Sequence, residues 1–217
     1  MEYRRDIWFS PRKILLRYDQ KMQEIGEILK TGSQYKIIRE ARSVALMLLG
    51  IEKLQEREYW LQLVDSKLEQ TPDIRTATHM VETDRRLAYQ DVEVITLESH
   101  SKEDVDDFLK KTKLSAKKSY QKSTIILCHI DKNTSTKSWR EISSNLSNIG
   151  KDYDIYLLGR TDPVALKYQL ARVYPKFDGI VIFDALEEAI NKARDTMKFI
   201  RSTEIKEWKS DVKSEPF

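Results

Sequence analysis

The run "LAYQDVEVITLE", residues 87–98, decides the fold of this chain. Its apolar and polar residues alternate, as they do in a β-strand whose successive side chains point to opposite faces of a sheet. Asp91 and Glu93 are therefore expected on one face, and Val92 and Val94 on the other. Two carboxylates on a half-buried face repel each other, which favours the recruitment of a cation.

Two further strands are predicted on the N-terminal side of this run. The stretch "EYWLQLVD", residues 58–65, alternates and is rich in β-forming residues, although a helix is the alternative there. The stretch "DIRTATHMVETD", residues 73–84, leads into a turn at "ETDRR". Together the three strands predict an antiparallel meander.

Helical periodicity dominates the chain before the meander. Apolar residues recur at helical spacing over residues 11–30, where Pro11 suits the first turn of a helix, and again over residues 34–54. A "TGS" break at 31–33 separates the two patterns. We expect two helices that each bury one face.

After residue 100, predicted helices alternate with apolar strands. The helices cover 101–114, 136–149, 164–174 and 185–200, and the strands cover 123–131, 153–159 and 178–184. Such alternation predicts right-handed crossovers between parallel strands. The predicted fold is α/β, with a mixed sheet in which an antiparallel meander is followed by a βαβαβα run, helices on both faces, and N-terminal helices in front.

The expected organisation is an N-terminal helical segment (1–33), one α/β domain (34–201) and a polar C-terminal tail (202–217). The 217 residues carry a formal charge of +3, one cysteine and three histidines, too few for a disulfide or a structural zinc cluster. The longest uncharged apolar stretch, residues 44–51, falls far short of the roughly 20 residues that span a bilayer. The first residues lack the apolar core of a signal peptide. We therefore expect a cytoplasmic protein without a membrane partner.

A third acid, Asp73, begins the strand that is expected to pair with residues 87–98. Asp73, Asp91 and Glu93 would supply carboxylate oxygens, the ligands that Mg²⁺ and Mn²⁺ prefer. A metal held in this way can activate water and offset charge on a phosphodiester. The alternative is that Asp91 and Glu93 are outward residues on the solvated face of an antiparallel sheet.

The segment "TPDI", with Pro72 and Asp73, followed by "DVEVIT", resembles the acidic motif of the PD-(D/E)XK nuclease superfamily, whose core is restriction-endonuclease-like. That core consists of a helix, a strand meander that carries the acids, a helix and a further strand. The resemblance covers residues 34–131, and it implies metal-dependent hydrolysis of DNA phosphodiesters. A helix before the meander often carries a glutamate in that family, and Glu40 matches it, although an exposed helix position is the simpler interpretation of Glu40 alone.

The chain departs from the family motif at Ile95, which stands where a lysine is expected if Glu93 is the motif acid. In one alternative, Asp91 is the acid and Glu93 takes the lysine position. In a second, a lysine reaches in from the following helix, where the candidates are Lys110, Lys111 and Lys113. A third is loss of activity. The expected catalytic set is Glu40, Asp73, Asp91, Glu93 and Lys113, with Mg²⁺ or Mn²⁺ as cofactor.

A basic segment, "KKTKLSAKKSYQK" at residues 110–122, follows the acid-bearing strand and contains no acid. Such a cluster attracts phosphates, so DNA is the expected partner. The nucleic-acid-binding candidates are Lys110, Lys111, Lys117, Lys118 and Lys122. A solvated helix end, where lysines favour the helix dipole, explains the same pattern.

Two other functions compete with a nuclease. The first is a catalytically inactive DNA-binding or scaffold subunit, with a protein partner or a second copy of the chain. The second is a small-ligand-sensing module built on the C-terminal half. In that module Asp131, Arg160 and Asp184 would line the site, because each follows an apolar strand and ligands bind outside the carboxyl ends of such strands.

Overall fold

The computed structural model describes residues 7–55, 57–63, 74–81, 84–114, 124–131, 137–150, 152–162, 166–191 and 199–201. The helices in these ranges are α1 (Pro11–Ile25), α2 (Ile28–Thr31), α3 (Lys36–Gln55), α4 (Val105–Thr112), α5 (Trp139–Leu146) and α6 (Ala185–Asn191). The strands are β1 (Ile7–Phe9), β2 (Tyr59–Leu63), β3 (Ile74–Val81), β4 (Asp84–Leu97), β5 (Ile125–Ile130), β6 (Asp154–Asp162), β7 (Lys167–Tyr174), β8 (Val181–Asp184) and β9 (Phe199–Arg201).

The strands form one mixed sheet in the order β8-β7-β6-β5-β4-β3-β2-β1-β9. Strands β2, β3 and β4 pair antiparallel, which confirms the predicted meander. Strands β4, β5 and β6 pair parallel, with α4 and α5 in the connections. The predicted α/β class, with a mixed sheet and N-terminal helices, is therefore confirmed.

One predicted helix is wrong, and a second is wrong at its carboxyl end. Residues 167–174 form β7, which pairs antiparallel with β6 and with β8, instead of the helix predicted at 164–174. The apolar residues of this stretch fit a helix and a strand equally well, and pairing on both edges selects the strand because it satisfies the backbone amides. The helix predicted at 185–200 is described as α6 over Ala185–Asn191, whereas Phe199–Arg201 forms β9.

Each face of the sheet carries its own apolar core. On one face, Val92 and Val94 belong to the core that includes α1 and α3 residues such as Leu15 and Val44. On the other face, the core is built by α4 and α5 against the alternate residues of β5 and β6. Cys128 lies in that second core, where burial raises the pKa of its thiol to about 12, so it has a packing role.

The N-terminal segment enters the same sheet and core. Phe9 of β1 pairs with Leu61 of β2, and Ser10 caps α1 by accepting a hydrogen bond from the Lys13 amide. Across the described ranges, none of the helices combines the length and the apolar character needed to span a bilayer. The predicted tail, 202–217, lies outside the described residues.

Candidate functional site

The register between β3 and β4 sets the geometry of the predicted acidic site. Ile74, the first described residue of β3, pairs with Val92, which lies between the two acids of β4. Arg75 pairs with Asp91. Asp73, predicted as a metal ligand and a catalytic residue, lies outside the described residues.

Asp91 is held by an arginine from the neighbouring strand. Arg75 Nε donates a hydrogen bond of 2.9 Å to Asp91 Oδ1. The two side chains meet because directly paired residues of antiparallel strands share a face of the sheet. Asp91 is half-buried, and the guanidinium of Arg75 already balances its charge.

Glu93 is held by a lysine from the following helix. Lys113 Nζ donates a hydrogen bond of 2.8 Å to Glu93 Oε2, and the two side chains are only 15% and 20% exposed. Lys113 is the residue that caps the carboxyl end of α4. Burial of Val105 and Leu109 fixes that helix over the sheet, and the helix end then brings its lysine over β4.

Together these contacts place four alternating charges on one face of the meander: Arg75, Asp91, Glu93 and Lys113. The carboxylate oxygens have the hard-donor chemistry that suits Mg²⁺ or Mn²⁺. A metal bound there would have to displace Arg75 from Asp91 or Lys113 from Glu93, because each acid already contacts a cation. Both acids are half-buried, on the side of the sheet that α4 reaches.

Of the three lysines considered for the missing motif position, Lys113 is the one in contact with an acid of β4. Lys110 and Lys111 are exposed, and they lie 3.9 Å from Asp106 and 2.5 Å from Glu103, respectively. The remaining nucleic-acid-binding candidates lie outside the described residues: Lys117, Lys118 and Lys122.

Glu40 is not brought to these acids. Its carboxylate lies 3.2 Å from Lys36 Nζ on α3, and that helix packs on the sheet face of Val92 and Val94, opposite Asp91 and Glu93. The expectation of an exposed position is also wrong, since Glu40 is only 8% exposed. The helix buries this residue because its inward stripe continues through Ala41 and Val44 into the core.

A second group of acids lies at the start of α4. Asp104, Asp106 and Asp107 place one carboxylate oxygen each within 4.8 Å of one another at the start of α4. Lys137 Nζ already lies 3.1 Å from Asp104 and 2.9 Å from Asp106. The ammonium group therefore occupies the place that a cation would take, and the cluster ties the start of α4 to the segment that leads into α5.

The electrostatics of this cluster support a structural role. Burial by itself raises the pKa of Asp106, but hydrogen bonds from Lys137 and from Asn145 outweigh it and hold the pKa below its ordinary value. The same bonds to Asp106, with those to Asp104, raise the pKa of Lys137. Asp106 and Lys137 therefore both stay charged at neutral pH.

The residues of the predicted small-ligand site are spread over the carboxyl edge of the sheet. Asp131 is exposed, and its amide donates to Leu97 O at 3.0 Å. Asp184 accepts hydrogen bonds from the amides of Leu186 and Glu187, so it caps α6. Arg160 donates to the hydroxyl of Tyr168. The three residues therefore make separate local contacts.

Comparison of the chain with protein-family models, with curated proteins and with solved structures gave no significant match, so its function has to be inferred from its own residues.

Proposed function

We propose that the chain is a metal-dependent nuclease-like domain that hydrolyses DNA phosphodiesters. The observation that carries the proposal is the contact between Lys113 Nζ and Glu93 Oε2 at 2.8 Å. It supplies a lysine beside the motif acid in a chain whose own motif position holds Ile95.

The order of elements supports the same proposal. The helix α3 is followed by β2, β3 and β4 in an antiparallel meander, then by α4 and by β5 parallel to β4. A helix, an acid-bearing meander, a helix and a further strand is the order implied by the resemblance to the PD-(D/E)XK superfamily. The two acids of β4 lie on the side of the sheet that α4 reaches.

In the proposed site, Asp73, Asp91 and Glu93 would hold Mg²⁺ or Mn²⁺ through carboxylate oxygens. A metal bound there would supply a polarised water and offset charge on the phosphodiester. When a metal takes the place of Lys113 at Glu93, the ammonium of Lys113 would remain nearby. There it would stabilise negative charge on the attacking water or on the scissile phosphate. Glu40 is left out, because α3 packs on the opposite face of the sheet.

The test is cleavage of supercoiled plasmid DNA by the full chain with Mg²⁺ and with Mn²⁺, compared with cleavage in EDTA. We expect metal-dependent cleavage that is lost in Asp73→Ala and in Glu93→Gln. Glu98→Gln is the matched control, because Glu98 is an exposed acid just beyond the end of the same strand. Cleavage that persists undiminished in Asp73→Ala and in Glu93→Gln would overturn the proposal.

A second candidate is a catalytically inactive DNA-binding or scaffold subunit. It is favoured by the fact that both described acids are already ion-paired, Asp91 with Arg75 and Glu93 with Lys113. Binding of DNA that is equally tight with Mg²⁺ and with EDTA, in the absence of cleavage, would select this candidate. Binding that depends on the metal, together with cleavage, would select the nuclease.

A further inference from the structure

Two arginines converge on one tyrosine hydroxyl on the face of the sheet opposite Glu93. Arg42 of α3 donates through Nη2 to the Tyr168 hydroxyl at 2.8 Å, and Arg160 of β6 donates through Nε to the same oxygen at 3.2 Å. Tyr168 is fully buried, whereas Arg160 is exposed and Arg42 is half-buried. The two guanidinium groups therefore lie close together at a position open to solvent.

No carboxylate is in direct contact with the arginine pair among the residues that the structure describes. Neither Arg42 nor Arg160 forms an ion pair there, and the Tyr168 hydroxyl occupies one N–H of each. Each guanidinium has five N–H donors, so most remain available for a ligand. Two like charges that share one neutral acceptor repel each other, and a bound anion would relieve that repulsion.

Two titratable groups lie near the pair. Arg42 lowers the pKa of Asp19, although partial burial of that carboxyl raises it by more, so Asp19 is a nearby carboxyl that a bound anion would have to tolerate. Burial, and then the charges of Arg42 and Arg160, lower the pKa of His129 to about 3. The imidazole is therefore neutral, and Ser43 Oγ lies 2.8 Å from its Nδ1.

The position of the pair in the sheet suits a ligand. Arg160 lies toward the carboxyl end of β6, beside the ends of the parallel strands β4 and β5. In open α/β sheets, ligands bind outside the carboxyl ends of such strands. The arginine pair is thus at the edge where the topology leaves a crevice.

A cavity of about 360 Å³ lies between α1 and α3, and it is linked to the pair through Tyr18. Tyr18 lines this cavity, and the guanidinium carbon of Arg42 lies 4.8 Å from the centre of the Tyr18 ring. The other walls are mixed, with apolar side chains of Ile14, Ile38 and Ala41 and charged side chains of Arg17, Lys21 and Glu24. The volume is within the range of small-molecule sites.

We propose that Arg42 and Arg160 bind the phosphate group of a small phosphate monoester, whose organic part enters the cavity between α1 and α3. Guanidinium groups match phosphate oxygens in geometry and in charge. The site is on the opposite face of the sheet from Asp91 and Glu93, so this proposal does not depend on the nuclease proposal.

The test is calorimetric titration of the full chain in EDTA with adenosine 5′-monophosphate, inorganic phosphate and adenosine. We expect the nucleotide to bind, adenosine to bind far more weakly, and Arg160→Gln to weaken nucleotide binding by about 10- to 100-fold. Equal affinity for nucleotide and inorganic phosphate would support the arginine site and identify a free oxyanion as its ligand. EDTA removes any contribution from a divalent metal.

Two variants control for nonspecific effects. Arg140→Gln removes an exposed arginine that also lies over an aromatic ring, Phe177, but on α5. It should leave nucleotide affinity unchanged. Tyr168→Phe removes only the shared hydroxyl and should lower the affinity, because both guanidinium groups lose the group that orients them. Undiminished binding in Arg160→Gln, or no binding of either phosphate compound to the wild-type chain, would overturn the proposal.

Discussion

Lys113 Nζ and Glu93 Oε2, which belong to residues twenty apart in the sequence, are joined by a hydrogen bond of 2.8 Å. The contact connects the carboxyl end of α4 to the strand that carries the acids. Ion pairs between fully exposed side chains contribute only about 0–1 kcal/mol. This pair is mostly buried, so its geometry is better defined than that of a surface pair.

Replacement of Lys113 tests its proposed role in catalysis. We expect Lys113→Met to lower Mg²⁺-dependent plasmid cleavage by about 100- to 1,000-fold, because removal of one charge-stabilising donor has an effect of that size. Lys111→Met is the control on the same helix, since Lys111 contacts Glu103 instead. Equal cleavage by Lys113→Met and wild type would exclude Lys113 from the reaction.

Arg75 is expected to compete with a metal ion for Asp91. The Arg75→Gln variant should bind Mn²⁺ severalfold more tightly than the wild type, because Asp91 no longer has a neighbouring cation. The free energy of unfolding should change by less than about 1 kcal/mol, since Arg75 is substantially exposed. Titration of Mn²⁺ followed by electron paramagnetic resonance measures the affinity. An unchanged affinity would mean that Asp91 is not a ligand.

The acid cluster at the start of α4 is expected to stabilise the fold in a pH-dependent way. Asp106 is 2% exposed and accepts hydrogen bonds from Lys137 and Asn145. Asp106→Asn should lower the free energy of unfolding at pH 7 by about 1–3 kcal/mol. Asp107→Asn, which changes the exposed neighbour, should have a much smaller effect.

The sign of the pH dependence follows from the lowered pKa of Asp106. A carboxylate that is more acidic in the folded state stabilises the protein fully above its unfolded pKa, and the contribution is lost as the pH falls toward the folded value. The difference between wild type and Asp106→Asn should therefore be constant at neutral pH and shrink below pH 3.8. Urea unfolding across this range measures it, and a difference that persists at the acid end would contradict the assignment.

His129 predicts a second pH dependence at milder acidity. Its pKa is about 3 in the folded protein and 6.5 for an ordinary histidine, so the unfolded chain binds a proton that the folded chain rejects. Stability should fall as the pH drops below 6.5. Between pH 7 and pH 5 the wild type should lose about 2 kcal/mol more than His129→Gln. His100→Gln, at an exposed position, should behave like the wild type.

Gly50 lies where α3 packs tightly against side chains of the sheet. A Cβ atom at this position would lie 2.7 Å from Leu170 Cδ2 and 3.0 Å from Phe183 Cε1. Overpacking costs about 1–3 kcal/mol, whereas alanine gains about 1 kcal/mol over glycine in a helix. Gly50→Ala should therefore be neutral to destabilising, by up to about 2 kcal/mol.

The Gly50 prediction is checked by thermal or urea unfolding of a double-mutant cycle. Leu170→Val shortens the side chain that an alanine at position 50 would meet, so the two changes together should cost less than the sum of each alone. Strict additivity would show that Leu170 does not limit the approach of α3.

The meander and the helices before it follow from local pattern. The alternation at residues 87–98 predicted β4, whose register places Val92 in one core and leaves Asp91 and Glu93 on the other face. The helical spacing at 34–54 likewise predicted α3. In these stretches the period of the apolar residues matches only one kind of secondary structure.

The sequence of β7 has no apolar period that identifies its secondary structure. Its side chains are buried on both faces of the sheet, with Tyr168 in one core and Val173 in the other. The buried positions shift from Tyr168 and Leu170 on one face to Ala171 and Val173 on the other, so strict alternation is lost and helix and strand could not be distinguished locally. Pairing with β6 and β8 made the choice.

The sequence by itself determined that Asp91 and Glu93 share a face, because alternate side chains of a strand point the same way. It also offered lysines of the next helix as one of three explanations for the missing motif lysine. Only the tertiary structure selected Lys113, placed Glu40 on the opposite face, and joined Arg42 with Arg160. Contacts of this kind depend on how a helix is rotated and positioned on the sheet, which is set by the packing of the whole core and not by local periodicity.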